Sequence, residues 1–115
     1  MAGRIRTGIG GWVYEPWRGS FYPPGLRQKE ELAYVGEHLT ATEVNATYYS
    51  SQKPATFANW AKAVPDGFQF AVKASRYCTN RKILAEAGES IAKFTGQGIA
   101  ELGDRLGPIL WQFMP

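Results

Sequence analysis

The chain has 115 residues, of which 44% are hydrophobic and 14% aromatic, with a net charge of +3 at pH 7. This length predicts one domain, and this composition excludes a disordered chain. The single cysteine excludes an internal disulfide, and the absence of an apolar run near the ~18 residues of a membrane span predicts a cytoplasmic protein. The small positive charge is typical of an ordinary solvated surface and supports a nucleic-acid partner only weakly.

Predicted strands and helices alternate along the chain. RIRTGIGGW predicts a strand that ends in glycines, and a long aromatic loop, VYEPWRGSFYPPGL, follows it. QKEELAYVGEHL predicts a helix because Leu32, Val35 and Leu39 recur on one helical face. Its first turn carries Glu30 and Glu31, which favour the helix dipole. ATEVNATYY then predicts a second strand, since it is rich in β-branched and aromatic residues.

The second half of the chain continues this alternation. KPATFANWAKAVP predicts a second helix with Pro54 in its first turn, and the turn PDG leads into a third strand, FQFAVKAS. The basic loop RYCTNRK precedes a helical region from about Ile83 to Leu106, which glycines are expected to interrupt. Gly107 and Pro108 predict a helix stop, and ILWQFM predicts a fourth strand. The order β-α-β-α-β-α-β predicts a parallel sheet joined by right-handed crossovers.

The predicted strands carry polar side chains on one face only. Side chains alternate across a strand, so Glu43, Asn45 and Thr47 are predicted on one face, as are Gln69 and Lys73 in the third strand. The opposite faces are apolar and suit packed helices. A doubly wound sheet is apolar on both faces, whereas a barrel has helices outside only and can be polar inside near its C-terminal mouth. The pattern therefore favours an α/β fold with helices on one face, half of a (β/α)8 TIM barrel.

Three stretches carry a family resemblance: TGIGGWVYEPWRGSFYP, LTATEVNATYYSSQKPATFANWAKAVPDGFQFAVKASRY and LGPILWQFMP. They resemble, in this order, the motifs of the YecE-like family, a TIM-barrel domain of unknown function. The resemblance covers nearly the whole chain and implies the N-terminal half of that barrel. Residues 1–115 are therefore expected to form a single partial domain, truncated after the fourth strand. The resemblance implies neither a reaction nor a cofactor.

Glu43 and Lys73 form the candidate catalytic pair. They are predicted on successive strands and on the same face, and strands lie ~4.8 Å apart, so we expect the carboxylate and the ammonium group to meet. As a functional pair they would serve as acid and base, or the lysine would form a Schiff base. As a structural pair they would be a buried ion pair that fixes the strand register. Both interpretations stay open here.

Aromatic and basic residues are predicted at the C-terminal ends of the strands. Aromatic faces beside cations suit a flat or sugar-like anionic ligand, such as a nucleotide or a sugar phosphate. Alternatively, the tryptophans only pack the loop, and the amides of Asn45 and Gln112 only form hydrogen bonds with each other or with Glu43. We expect the rim residues to line one concavity with Glu43 and Lys73 at its base, the rim residues being Trp12, Tyr14, Arg76 and Tyr77. The candidate ligand-binding residues are Trp12, Tyr14, Asn45, Tyr49, Arg76, Tyr77 and Gln112.

The remaining tryptophans, the histidine and the cysteine are not predicted to belong to the site. Trp60 and Trp111 are predicted in the core, and His38 is predicted at the surface near a helix end. Cys78 follows the third strand in a basic loop, which is expected to lower the pKa of its thiol. With one histidine and one cysteine, the sequence predicts no zinc site.

Three hypotheses for function follow from the sequence. The chain is an enzyme or a small-molecule-binding barrel, a nucleic-acid-binding module that uses its basic aromatic rim, or an incomplete polypeptide without independent activity. Four parallel strands leave the first and the fourth as unpaired edges. The chain is therefore expected either to continue into a C-terminal half or to associate with a second copy.

Overall fold

The computed structural model describes residues 3–115 and contains a four-stranded sheet in the order β1-β2-β3-β4. All three strand pairs are parallel, as the alternation of strands and helices predicts. Gly10, Glu43 and Ala71 lie side by side in the register of the first three strands. The strands are β1 (Gly8–Gly10), β2 (Ala41–Val44), β3 (Gln69–Lys73) and β4 (Leu106–Leu110).

Helical segments connect the strands in every crossover. The predicted first and second helices are present, while the third crossover is interrupted, as its glycines predict. Gly98 has φ +119°, and a Cβ there would lie 2.7 Å from Pro54 Cα, so only glycine fits this interruption. The helices are α1 (Glu31–His38), α2 (Ala46–Tyr49), α3 (Pro54–Ala63), α4 (Arg76–Thr79) and α5 (Gly88–Thr95), with 3-10 segments at Glu15–Trp17, Gln28–Glu30, Leu84–Glu86 and Ile99–Arg105.

The core lies between the helices and one face of the sheet. Val44, Phe70 and Val72 point into it and are fully buried, together with Phe57 of α3 and Phe94 of α5. Burying an aromatic or branched side chain contributes roughly 1.5–3 kcal/mol, so this face accounts for much of the stability. The other face has only partly buried or exposed side chains: Ala41, Glu43, Gln69, Ala71, Lys73 and Leu110.

The second strand is shorter than its sequence predicts. It ends at Val44, and Asn45 has helical backbone angles that begin the single turn α2. Thr47 therefore does not share the inner sheet face with Glu43, and the predicted alternation through Thr47 is wrong. The Thr47 hydroxyl is buried and donates to the Lys73 carbonyl at 2.7 Å, which ties the ends of β2 and β3 together.

The fourth strand begins earlier and ends earlier than predicted. It starts directly after a 3-10 segment, and Gly107 and Pro108 lie inside it. A Cβ on Gly107 would lie 2.9 Å from the Phe70 carbonyl oxygen, so glycine lets β4 approach β3 closely. Residues 111–115 lie beyond the sheet, and Trp111 is 37% exposed, so its assignment to the core is wrong.

A buried carboxylate holds the aromatic loop that follows β1. Glu31 is completely buried and accepts a hydrogen bond from Arg18 Nε at 3.0 Å. This ion pair raises the pKa of Arg18. Tyr22 is also completely buried, and its hydroxyl donates to the Trp12 carbonyl. The sequence predicts only that Glu31 interacts favourably with the helix dipole. The residue pattern within a helix does not show that Arg18 of the preceding loop contacts Glu31.

Candidate functional site

The carboxyl ends of β1 and β2 frame an apolar hollow, here called the tryptophan concavity, of about 370 Å³. Gly11 turns the chain away from β1 with φ +87°, which favours glycine. The Trp12 ring then packs edge-on against Trp60 at 5.3 Å and Phe70 at 6.3 Å. Trp12 thus packs against the core in addition to lining the concavity. The lining residues are Gly11, Trp12, Val13, Tyr14, Val44, Asn45, Ala46 and Trp60.

A second hollow, the tyrosine concavity, lies between the ends of β2 and β3 and helix α5, and has a volume of about 480 Å³. The turns α2 and α4 carry Tyr49 and Tyr77 to it, and their side chains are 60% and 59% exposed. Helix α5 adds Ser90, Lys93 and Phe94. The lining residues are Thr47, Tyr49, Ser50, Ser51, Ser75, Tyr77, Ser90, Lys93, Phe94 and Gln97.

The tyrosine concavity is rich in hydrogen-bond donors. Ser75 Oγ accepts from the Tyr77 amide at 3.2 Å, and Ser90 Oγ accepts from Arg81 at 3.4 Å, so each hydroxyl proton is left to donate elsewhere. Lys93 is exposed and adds three N–H donors. Among the described residues that line this hollow there is no carboxylate. The surroundings therefore favour an anion.

An arginine lies between the two exposed tyrosines. Arg76 Cζ is 5.3 Å from the centre of the Tyr77 ring and 5.9 Å from that of Tyr49. At these distances a guanidinium is attracted to the ring faces, worth about 0.5–1 kcal/mol at an exposed site. Arg76, Tyr49 and Tyr77 thus form a cationic aromatic rim beside the donor-rich hollow.

Glu43 and Lys73 share the inner face of the sheet, as predicted, but they do not meet. Glu43 is level with Ala71, so Lys73 lies two residues further along the neighbouring strand. The ion pairs within the described residues do not include them. Lys73 Nζ instead lies 4.4 Å from the centre of the Tyr48 ring. The predicted carboxylate–ammonium contact is wrong because the register makes this pair diagonal.

The rim residues also do not share one concavity, contrary to prediction. Trp12, Tyr14 and Asn45 line the tryptophan concavity, whereas Tyr49 and Tyr77 line the tyrosine concavity. Tyr14 is held in place by its hydroxyl, which donates to the Gly10 carbonyl, and by its ring, 4.4 Å from Trp17. Glu43 and Lys73 line neither hollow. Gln112 is exposed in the segment beyond β4. The turns α2 and α4 cause this separation, and strand periodicity does not reveal them.

The environment of Cys78 differs from the sequence-based expectation. Its side chain is 3% exposed, and burial raises the pKa of the thiol, while the charge of Arg81 acts in the opposite direction and is outweighed. The basic loop therefore does not activate this cysteine. A catalytic role as a nucleophile is not supported, since the thiolate is the reactive form.

We predict that Cys78 reacts slowly with maleimide at pH 7 in the folded chain. Labelling should accelerate by roughly 100-fold or more in urea, because reaction requires opening of the structure. Mass spectrometry over time measures both rates. Ser51→Cys in a Cys78→Ala background is the control, since position 51 is exposed and should label fast. Equal rates for the two cysteines would contradict the buried placement.

Comparison with known proteins identifies the family. The family described as "Protein of unknown function DUF72" matches residues 6–115. The chain belongs to this DUF72 family. The match confirms the resemblance to the YecE-like domain of unknown function. The UPF0759 protein YunF of Bacillus subtilis (strain 168) is 31% identical over 78 residues, which are 68% of this chain and 27% of YunF.

Solved DUF72 structures share the fold. A DUF72 protein of Enterococcus faecalis V583 aligns with a TM-score of 0.72 at 24% identity, over 96% of this chain and 40% of that chain. One from Thermotoga maritima MSB8 aligns with a TM-score of 0.68 at 28% identity, over 93% of this chain and 43% of that one. The chain thus spans less than half the length of these DUF72 proteins, and the predicted half of a TIM-barrel-like fold is confirmed.

Neither a cluster of metal-binding side chains nor a membrane-spanning helix is found within residues 3–115. No group of three histidine, cysteine, aspartate or glutamate side chains is placed to hold a metal ion. In the same part of the chain, every helix is too short or too polar to cross a membrane.

Proposed function

We propose that this DUF72 chain binds a small anionic ligand that carries a flat or sugar-like ring, in the tyrosine concavity. The observation that supports this most directly is the combination of free hydroxyl donors and Lys93 in a hollow whose described lining residues include no carboxylate. A phosphate or carboxylate group accepts hydrogen bonds and pairs with an ammonium group. The same concavity has room for a nucleotide-sized ligand, because binding pockets of about 300–1,000 Å³ are typical.

The rim provides the contact for the ring of the ligand. Tyr49 and Tyr77 are exposed on either side of Arg76, so a planar or sugar ring can pack on a tyrosine while its charge lies near the guanidinium. Glu43 and Lys73 lie outside this concavity, so the proposal is one of binding and assigns them no catalytic role. A cytoplasmic location belongs to the same proposal, because the one cysteine is a free thiol.

Calorimetry with AMP and adenosine as probes tests this proposal. AMP should bind more tightly than adenosine, because only AMP offers an anion to the donors. Lys93→Met should weaken AMP binding by about tenfold or more, since a hydrogen bond to a charged group is worth roughly 1.5–3 kcal/mol. Lys62→Met is the matched control, because Lys62 lies in the last turn of α3 and does not line the concavity.

The results also distinguish the proposed site from a nucleic-acid-binding module. Equal affinity for AMP and adenosine, or an equal effect of Lys93→Met and Lys62→Met, would contradict the proposed site. Binding of single-stranded oligonucleotides that is much tighter than binding of AMP, with a steep dependence on salt, would favour the nucleic-acid-binding module instead.

A further inference from the structure

The tryptophan concavity differs in chemistry from the tyrosine concavity. Among the described residues that line it, no side chain is charged. Val13, Val44 and Ala46 supply aliphatic surface, and Trp12 and Trp60 supply two indole rings. Its volume of about 370 Å³ lies within the range of small-molecule sites. The hollow therefore suits an uncharged ligand.

The two indole rings form a preformed corner. Their planes are inclined by 82° and their centres are 5.3 Å apart. Both rings pack against Phe70, and Trp60 also packs against Phe57 at 5.2 Å; both phenylalanines are completely buried. Trp12 and Trp60 themselves are only partly buried, so part of each ring is open to the hollow. A flat ring in this corner can stack on one indole and meet the other edge-on, the two arrangements that aromatic pairs prefer.

The side-chain amide of Asn45 provides a polar contact in this apolar hollow. Asn45 is partly buried and begins α2, but its side chain does not cap that helix. The neighbouring hydroxyls of Tyr14, Thr42 and Thr47 donate to backbone carbonyls and not to Asn45. An amide has one acceptor and two donors, and a polar group that is partly removed from water is stabilised by a hydrogen-bond partner. Asn45 is therefore available to a ligand.

Two glycines keep this amide accessible. A Cβ on Gly10 or on Gly11 would lie 3.6 Å from Asn45 Nδ2, so a side chain at either position would begin to cover the amide. Gly11 also needs glycine for its φ of +87°, whereas Gly10 lies in β1 and is not among the described glycines with positive φ. The space beside Asn45 is thus left open on the side of β1.

We propose that the tryptophan concavity is a second binding site, for a neutral heteroaromatic ring whose edge carries a cyclic amide. The ring packs in the indole corner. Asn45 Nδ2 donates to the carbonyl of the ring, and Asn45 Oδ1 accepts from the adjacent ring N–H, which gives two parallel hydrogen bonds. This site is additional to the anionic site of the tyrosine concavity and does not use Lys93.

The proposed site lies on the helix side of the sheet. Val44 points into the core, Trp60 belongs to α3, and residues 11–14 follow β1. The inner-face residues Glu43 and Lys73 do not line the hollow. Its walls therefore do not depend on what covers the inner face.

Titration calorimetry of the full chain with carbostyril, a neutral two-ring lactam, is the first test. N-methylcarbostyril is the matched probe, because it has the same rings but no N–H donor. We expect carbostyril to bind at least about tenfold more tightly, since the methylated probe loses one hydrogen bond and places a methyl group against Asn45 Oδ1.

Nuclear magnetic resonance of the isotope-labelled chain locates the bound probe. Carbostyril should shift the indole N–H signals of Trp12 and Trp60 and the side-chain amide signals of Asn45. The indole signal of Trp111 should stay in place, because Trp111 is 37% exposed beyond β4 and does not line the hollow.

Two variants test the amide and the hollow separately. Asn45→Asp should weaken carbostyril binding about tenfold or more, because a carboxylate cannot donate to the ring carbonyl. Asn59→Asp is the matched control, since Asn59 is exposed on α3 and does not line the hollow. Ala46→Phe should abolish binding by filling the hollow, and the exposed position of Ala46 allows the larger side chain without disturbing the core. Thermal unfolding shows that each variant is folded.

Several outcomes would overturn the proposal. These are undetectable binding of carbostyril, equal affinity for the two probes, or equal effects of Asn45→Asp and Asn59→Asp. Shifts confined to Trp111 would place the probe on the surface beyond β4 and also overturn it. A loss of carbostyril binding in Lys93→Met would instead place the probe in the tyrosine concavity. Failure of AMP to bind would contradict only the anionic site, because the two hollows share no lining residue.

Discussion

Replacing Phe70 by alanine should lower the free energy of unfolding by about 3–5 kcal/mol, the loss typical of a buried aromatic side chain. Phe70 is completely buried, and its ring lies 5.3 Å from Phe68, 6.3 Å from Trp12 and 6.5 Å from Trp60. It joins the sheet to α3 and to the loop after β1, so these parts cannot all close around the space it leaves. Urea unfolding followed by tryptophan fluorescence measures the change.

The control for this prediction is Ile5→Ala. Ile5 is 91% exposed, so its replacement should change the free energy of unfolding by less than about 0.5 kcal/mol. The total stability of such a domain is about 5–15 kcal/mol, and Phe70→Ala should therefore shift the urea midpoint far more than Ile5→Ala. Similar shifts for the two variants would contradict the central position of Phe70.

Stability should fall steeply as the pH rises from 10 to 12, with Tyr22 as a principal cause. Burial, followed by the negative charge of Glu31, raises the pKa of Tyr22 to about 12, against 10.0 for an exposed tyrosine. Below pH 10 this tyrosine is protonated in both the folded and the unfolded chain, so the stability does not change. Between pH 10 and 12 the unfolded chain releases the proton while the folded chain keeps it, and the free energy of unfolding therefore falls. The loss is about 2 kcal/mol at pH 12 and approaches about 3 kcal/mol only at higher pH.

Comparison with Tyr22→Phe isolates this contribution. At pH 7 the variant should be less stable by about 1 kcal/mol, because the hydrogen bond to the Trp12 carbonyl is lost. Above about pH 11 it should become the more stable protein, since phenylalanine does not ionise. Tyr49→Phe serves as control, because Tyr49 is 60% exposed and its loss should leave the pH profile parallel to the wild type. A parallel profile for Tyr22→Phe would contradict the prediction.

Much of the fold could be predicted because it depends on patterns along the chain. The alternation of Phe68, Phe70 and Val72 with polar residues identifies the face that packs against the helices, and these three side chains are buried. The polar residues Glu43 and Lys73 are likewise on the inner face, as the same alternation requires. Hydrophobic periodicity is sufficient here because burial of one face is the main favourable term in folding.

The candidate site could be predicted only in part. The carboxyl ends of the strands follow from the topology, and Tyr49, Arg76 and Tyr77 were predicted there from their residue type and their position after a strand. The grouping was wrong, since the turns α2 and α4 direct Tyr49 and Tyr77 away from Trp12 and Tyr14. Ser75, Ser90 and Lys93 were missed, because serine and lysine on a surface helix or loop carry no distinguishing pattern. Only the packing of α5 against α4 brings them to the same hollow.

The sequence by itself determined the parallel sheet, its order and its apolar face, because these follow from local periodicity and from the alternation of strands with helical crossovers. The tertiary structure alone decided where β2 and β4 end, that Arg18 reaches the buried Glu31, and that burial raises the pKa of Cys78. These features depend on contacts between residues distant in the chain. The free energy of such contacts depends on distance and burial, which no pattern within one segment contains.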